Sequence, residues 1–483
     1  MKLTSKAMPL ELAVREIESE EIQIKICKTL INAGANVNQI GKDNNTNLCW
    51  AIENERYQLA KILIDYGENV NKEGDERVTP LKAAVSRLSL KNYKEKKTLW
   101  QNLLKKGAKA DEELFDYFFN NNDYGMEYYF APKILKIIPK EYVHNKMSQA
   151  LVFAIKGENK KLQTLIKNNK VKESEKEKIL AFAAAYCDIE TLKLIKKQGY
   201  DIGWKDEDGV NLLQIAALCN KAEVVEFFLN QGLNGNIKTD YYQADAVSFA
   251  ALGGHLNHAK ILEKRGKVKF QDNIQNGECR TWSFLLDYGN VKSFETVLKL
   301  GYVPNQIEIF HGYEDAGEDV FDWLYQNGYS INYEEYGDGL LCSASLETTP
   351  KFEKLCEWGL RAKESELNNL IWMGRSNLVR TVLEKKMYQG NIRKEVLLQS
   401  AINVGDFPMV KYLVKQGADI NKYVKDETED FSWTSLNMAY GRDSVEITEY
   451  LKEKGGDITK KDSSGRSCKD IAKETGAVWN LGK

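Results

Sequence analysis

The chain is expected to be an all-α solenoid, a stack of about fourteen to fifteen helix-turn-helix units joined by short β-hairpin-like fingers. Three observations predict it. A glycine phrase recurs at fixed spacing: Ala33-Gly34-Ala35-Asn36-Val37-Asn38, Tyr66-Gly67-Glu68-Asn69-Val70-Asn71, Gln198-Gly199-Tyr200-Asp201-Ile202, Gln231-Gly232-Leu233-Asn234 and Gln416-Gly417-Ala418-Asp419-Ile420-Asn421. Each phrase closes an apolar segment of helical period, where glycine takes the left-handed conformation at little cost. The 483 residues divide into roughly fifteen units of ~33, so the repeat can fill the chain.

Taken in order, the first clear stretch is 1–110, with phrases at Gly34, Gly67 and Gly107. Its last period is longer, and the extra residues fall at 88–98, between two helices. Residues 111–174 keep helical phrases at Leu114 to Phe119 and Ile134 to Ile138 but lose the glycine phrase, so degenerate repeats and a bend are expected there. Pro139 is expected to end a helix. Residues 175–483 form the main stack with a C-terminal cap, the whole being one continuous solenoid. The unit from Asp206 is the plainest. Asp206-Glu207-Asp208-Gly209 is a turn, Asn211 to Leu218 an apolar helix, Asn220-Lys221-Ala222 a break, and Glu223 to Leu229 a second helix before Gly232. Ala216 and Ala217 let the helices approach closely, while Val224, Val225, Phe228 and Leu229 form a stripe that only a neighbouring unit can bury.

This pattern resembles the ankyrin repeat. Thr79-Pro80-Leu81-Lys82-Ala83-Ala84 matches the family's first-helix phrase, with Lys82 in place of its histidine. Phe249-Ala250-Ala251-Leu252-Gly253-Gly254-His255 carries the Gly-His of the inter-helix turn. Trp433 to Ala439 is a looser copy, and Gly465 to Ala472 a terminal half repeat. The resemblance implies a protein-binding scaffold, not an enzyme, whose turns and first helices line a concave binding face. It places the partner-binding residues on the turns: Trp204, Asp206, Tyr241, Tyr242, Tyr333, Tyr336, Tyr423, Phe431 and Trp433.

Composition narrows the classes further. Charged residues are 29% and hydrophobic residues 43%, as in folded globular proteins, and the net charge of −2 gives no general attraction to nucleic acid or anionic membrane. No run reaches a membrane span, and the first twenty residues do not read as a signal peptide. The eight cysteines form no Cys-x-x-Cys pair and read as buried free thiols of a cytoplasmic protein. His255 and His258 share a helix face, yet no local carboxylate or thiol joins them, so no metal site is expected. No catalytic residue and no cofactor is expected either, since glycine-rich phosphate loops are absent.

Charge is unevenly distributed. Residues 302–350 hold ten acids, Glu308, Glu314, Asp315, Glu318, Asp319, Asp322, Glu334, Glu335, Asp338 and Glu347, and no lysine or arginine. Aromatics interleave with them. Tyr313, Tyr333 and Tyr336 are expected at the surface, and Phe321, Leu324 and Tyr325 in the core. Glu314, Asp315, Glu318, Glu334, Glu335 and Asp338 therefore join the partner-binding set. Residues 131–200 show the opposite bias, with fifteen lysines against seven acids. The expected partner is another protein with a basic surface, and the chain is expected to be a monomer when free. The sharper form of this reading is an inhibitor or immunity protein covering a basic cleft such as a nuclease's; the lysine- and asparagine-rich, proline-poor composition suits a bacterial source. Two alternatives stand beside it: a secreted effector or enzyme with catalytic residues hidden in 111–146, and nucleic-acid binding through the lysines of 131–200.

Overall fold

The structure is a computed structural model that describes residues 9–17, 20–111, 113–145, 147–266, 268, 274–275, 278–331, 349–425, 432–442 and 444–476. Helices dominate it. The only strands among these residues form two short antiparallel hairpins, Ile274–Gln275 with Glu278–Cys279 and Val424–Lys425 with Ser432–Trp433. The chain folds as two compact units, Met1–Ile331 and Asn332–Lys483.

The glycine phrase builds the repeat in two steps. Gly34, Gly67, Gly107, Gly199, Gly232 and Gly417 all take positive φ directly after a second helix, which stops the helix and turns the chain. The asparagine that ends the phrase then ties one unit to the next. Asn71 donates Nδ2–H to the carbonyl of Gly107 (2.9 Å) and accepts from the N–H of Lys109 (2.8 Å). Asn421 does the same with Gly455 and Asp457, and Asn38 with Gly67 and Asn69. The recurring Asn is thus a connector between fingers.

First helices start on side-chain caps. Thr46, Thr79, Asn211, Asp245 and Thr434 each accept from a backbone N–H one turn on, which satisfies donors the helix cannot. Ala183, Ala184, Ala216, Ala217, Ala250 and Ala251 are buried where first helices meet; their small side chains permit the close approach. Phe182, Phe228, Phe249, Phe284 and Phe294 fill the remaining space, and each such ring removed from water stabilises by roughly 1.5–3 kcal/mol. Lys82, in the place of the family's histidine, is buried and reaches Glu113 (3.0 Å) and Asp111 (3.3 Å) in the following unit.

In the first unit two rows of first helices form. Pro9–Arg15, Asn47–Glu53, Pro80–Val85 and Leu114–Asn120 stack in order. Gln149–Lys156, Lys176–Tyr186, Leu212–Cys219, Ala246–Leu252, Arg280–Tyr288 and Gln306–Asp315 form the second row. Between them the stack is interrupted. Met126–Ile134 follows Leu114–Asn120 but packs across Gln149–Lys156, Lys176–Tyr186 and Leu212–Cys219 instead of continuing the row. The extra residues near 88–98 become a loop at 86–92 and a lengthened second helix, Tyr93–Lys105.

The second unit repeats the simple pattern, with Glu364–Trp372, Lys394–Val404, Ser435–Gly441 and Cys468–Thr475 as its row of first helices.

Three local expectations are corrected. Pro139 begins a helix rather than ending one: it precedes Lys140–Asn145, and its carbonyl accepts the Val143 N–H. Tyr313 is buried, its hydroxyl donating to the Tyr329 carbonyl (2.7 Å) and its ring edge-on to Phe321. Tyr325, on the other side of its helix from Phe321 and Leu324, is exposed.

Candidate protein-binding surface

Aligning the units on their inter-helix turn picks out one residue of each unit, the one just before that turn, which follows a position that is core in the first unit (Ala185, Leu218, Leu252). In the first unit these are Tyr186, Cys219, Gly253, Tyr288 and Asp315. The chain's own segment 86–134 lies against Tyr186, Cys219 and Tyr288 and reaches the backbone of Asp315, whose side chain stays exposed. Tyr186 donates its hydroxyl to the carbonyl of Tyr128 (2.5 Å). Cys219 lies among Tyr129, Lys133 and Tyr186. Tyr288 donates to Asp123 (2.7 Å), and its own carbonyl accepts from the Leu90 N–H (2.8 Å). Lys91 donates to the Asp315 carbonyl. Gly125, at φ +83°, makes this approach possible: a Cβ there would stand 3.1 Å from Leu218 and 3.3 Å from Phe249.

Rings and carboxyls line the covered face. Tyr124 packs edge-on against Tyr242 (4.9 Å) and Tyr288 (5.8 Å). Lys133 holds its ammonium over Tyr129, Phe130 and Tyr93 at 4.1, 4.5 and 4.6 Å, and burial pushes it down to about 8. Glu127 is buried, its Oε2 has no hydrogen-bond partner, and desolvation together with the nearby Asp206 holds its carboxyl well above the usual range. Desolvation also raises Asp123, and takes Asp206 up to about 6. Tyr128 donates to Asp206 (3.2 Å), and the Tyr124 N–H to Asp208 (3.2 Å).

The second unit leaves the equivalent row open. Trp372 is 53% exposed, Met373 37% and Val404 37%, and Arg442, next along the row, is exposed. Sequence reading passed over these residues because they sit inside helical phrases. The signal was present: aligned on Gly374 and Gly405, Met373 and Val404 fall at the same position of consecutive units, with Trp372 one residue earlier, and all three are large, apolar and exposed.

The expected site residues distribute as follows. Asp206 and Tyr242 are brought together with the covering segment; Tyr242 also donates to Asp287 (2.5 Å). Tyr241, beside it, is 74% exposed. Trp204 is half-buried on its turn. Tyr423 and Trp433 share a hairpin, Val424 pairing with Trp433. Tyr423 is 44% exposed, with its hydroxyl on the Lys461 carbonyl; Trp433 is half-buried with Arg466 over its ring (5.7 Å). Glu314 is half-buried, and Asp315 and Glu318 are exposed; all three take part in interactions within the fold. Tyr333, Glu334, Glu335, Tyr336, Asp338 and Phe431 lie outside the described residues.

The acids of 302–331 serve the fold as well as the surface. Glu308 is buried, accepting from the Tyr302 hydroxyl and from the N–H groups of Cys279 and Asn305. Lysines of 131–200 stand beside local acids: Lys161 by Glu158, Lys172 by Glu175, Lys176 by Glu173 and Lys193 by Glu190. Further along, an open groove of about 650 Å³ between the second helices Ile189–Lys197 and Ala222–Asn230 mixes Lys193, Lys196 and Lys197 with Glu223 and Glu226.

His255 and His258 face carbonyls of the preceding unit, Leu218 and Ala217, at 3.0 Å each. Burial lowers both imidazoles, His255 to about 4. They tie this inter-helix turn and second helix to the preceding first helix. The described cysteines are free, and desolvation raises every one of their thiols, the reverse of what a nucleophile needs. No group of three or more metal-ligating side chains is gathered among the described residues. None of their helices is long and apolar enough to cross a membrane.

Comparison with known proteins agrees with the repeat. The family described as ankyrin repeats (3 copies) matches residues 10–113 and 180–272. No curated protein matches the chain. Among solved structures, the human ASB11 ankyrin repeat domain is similar at 18% identity over 54% of this chain and 90% of its own, with a TM-score of 0.23.

Proposed function

This chain is an ankyrin-repeat protein, a member of a fold that generally mediates protein–protein interaction, and we propose that it acts as a non-catalytic binding scaffold for another protein. The observation that carries this reading is the placing of exposed aromatics on preordered turns. Tyr241 and Tyr423 project from fingers whose backbones the stacked units already fix. Such rings bring contact area with little ordering cost, as interface anchors do.

The finer reading is an inhibitor or immunity protein that covers a basic partner through 302–350. The exposed Asp315, Glu318 and Asp319 support it. Buried thiols suit a reducing, cytoplasmic setting. The test is capture from the native host with the full chain, followed by calorimetry on the purified pair. Replacing Tyr241 and Tyr423 by alanine is expected to weaken binding at least tenfold with an unchanged melting curve. A chain that retains no protein and instead turns over a substrate would overturn the reading.

A further inference from the structure

The two units treat the same slot of the repeat in opposite ways, and that contrast defines what the open slot can hold. In the first unit the row ending at Tyr186, Cys219 and Tyr288 is occupied by an aromatic helix with its leading turn, Asp123-Tyr124-Gly125 and Met126–Ile134. This occupant brings tyrosine and phenylalanine rings, backbone carbonyls that accept from the row, and carboxylates at its N-terminal end. Phe130, Ala131 and Ile134 of this helix are buried. In the second unit the row carries Trp372, Met373 and Val404, apolar and exposed. Burying them would remove a Trp, a Met and a Val from water, and a Trp is among the side chains most enriched in interface hot spots.

Resting on the scaffold reading above, we infer that the row Trp372–Met373–Val404–Arg442 is the docking surface for a short aromatic helix of a partner protein, one that bears a carboxylate at the end facing Arg442. The chain's own segment supplies the precedent for the helix. Arg442 supplies the charge that orients it, and its exposure at the end of the row leaves the guanidinium open to a carboxylate. The neighbouring first helices Glu364–Trp372 and Lys394–Val404 pack directly on one another, and Ser400 donates to Asn368 across them. The row is therefore rigid before anything binds.

The test uses the full chain and, as probe, a fluorescein-labelled synthetic peptide with the sequence of residues 121–137, with a photo-crosslinking phenylalanine in place of Tyr128. Saturable binding is expected, with crosslinks on 364–404. Trp372→Ala with Val404→Ser should weaken it about tenfold or more, while the melting curve stays that of the parent. Arg442→Glu should weaken it severalfold, and a peptide carrying Lys in place of Glu127 should recover binding to that variant. Absence of saturable binding overturns the inference. So does unchanged affinity in the double variant, and so do crosslinks confined to 176–288, which would mean exchange with the internal segment. The scaffold reading is tested separately: a full chain that captures no protein overturns it, whereas a captured partner held equally well by the parent and by Trp372→Ala with Val404→Ser leaves the scaffold standing and removes this surface.

Discussion

The rows of first helices at 149–315 and 364–441 are built from the same local code, yet one is covered by its own chain while the other, among the described residues, exposes Trp372, Met373 and Val404. Side-chain caps and buried alanines recur in both, as Asn211 with Ala216 and Thr434 with Ala439 show. The difference lies in the two residues before each inter-helix turn. In the first unit the earlier of the two is core at Ala185, Leu218 and Leu252, while the later one meets the covering segment, so its chemistry follows what lies over it. Tyr186 and Tyr288 use hydroxyls to grip backbone and carboxylate groups of segment 86–134. Met373 and Val404 have no such polar handle, and Trp372 has only its indole N–H. A repeat stack thus separates residues that make the fold from residues that choose its occupant.

The comparison breaks most sharply on core substitutions. Ala216→Asp sets a carboxylate between two packed first helices and should cost about 3–5 kcal/mol. Phe130→Ala empties a buried site in the covering helix and should cost a similar ~3–5 kcal/mol. Trp372→Ala in the open row should stay within about 0.5 kcal/mol. Hydrogen exchange followed by mass spectrometry reads each unit's peptides separately. If Phe130→Ala were as mild as Trp372→Ala, the covering segment would not be part of the folded first unit.

Acidity should act oppositely on the two units. In the first, desolvation raises Glu127 and Asp123 and takes Asp206 to about 6, against about 4 for unfolded carboxyls. The folded state therefore holds more protons between these values. Its stability is greatest below about 4 and is lost as pH rises through about 6 and beyond. In the second unit Glu364 shifts the other way: desolvation opposes, but the hydrogen-bonded Arg393 outweighs it and holds the carboxyl below its ordinary value. That contribution is present above the unfolded value and lost as pH falls. Protection in 121–134 should rise from pH 7 to pH 5 while that around 364–393 does not. Glu127→Gln should stabilise the first unit at pH 7 by about 1–3 kcal/mol, since a neutral amide removes the cost of burying an acid that must either keep its proton or bury a charge, and should flatten its pH profile. A parallel pH response in both units would refute this.

How far the fold was legible follows from the same separation. The glycine phrase, the alanine pairs and the Thr-Pro start encode backbone conformation and close packing locally, so the stack could be read from sequence. The role of Asn71 was not, because its partners are a unit away. Nor was the covering segment: Tyr124 and Glu127 meet Tyr242 and Asp206 only after the stack has formed, and no spacing rule links positions so distant. Tyr313 misled for the opposite reason, lying near a turn phrase while its ring fills the space beside Phe321. Trp372 was readable only by aligning units, since within its own helix it looks like core.

Substituting the finger connectors should have a smaller effect, equal in the two units. Asn71→Ala removes a donor to Gly107 and an acceptor for Lys109; Asn421→Ala removes the matching pair with Gly455 and Asp457. Each should cost about 0.5–1.5 kcal/mol, because exposed hydrogen bonds exchange with water. Denaturant titration of both variants would show whether the connectors are equivalent. A cost confined to one unit would mean that covering the row also stiffens its fingers.

The smallest effect on stability, and the most specific on binding, is expected from charge reversal at the acidic end of the first unit. Asp315 and Glu318 are exposed, so Asp315→Lys with Glu318→Lys should shift the melting curve by no more than about 0.5 kcal/mol. If a basic partner approaches this end, long-range attraction speeds its arrival, and the reversal should slow association at low salt but much less at high salt, where screening shortens the reach of charge to roughly 3 Å at 1 M. Dissociation should hardly change. Trp372→Ala should do the reverse, leaving arrival alone and shortening the lifetime of the complex, because an apolar anchor acts after contact. Stopped-flow association with the captured partner at two salt concentrations separates the two. Equal low-salt rates for the parent and the charge-reversed chain would remove the acidic segment from recognition and leave the open row of the second unit as the remaining determinant.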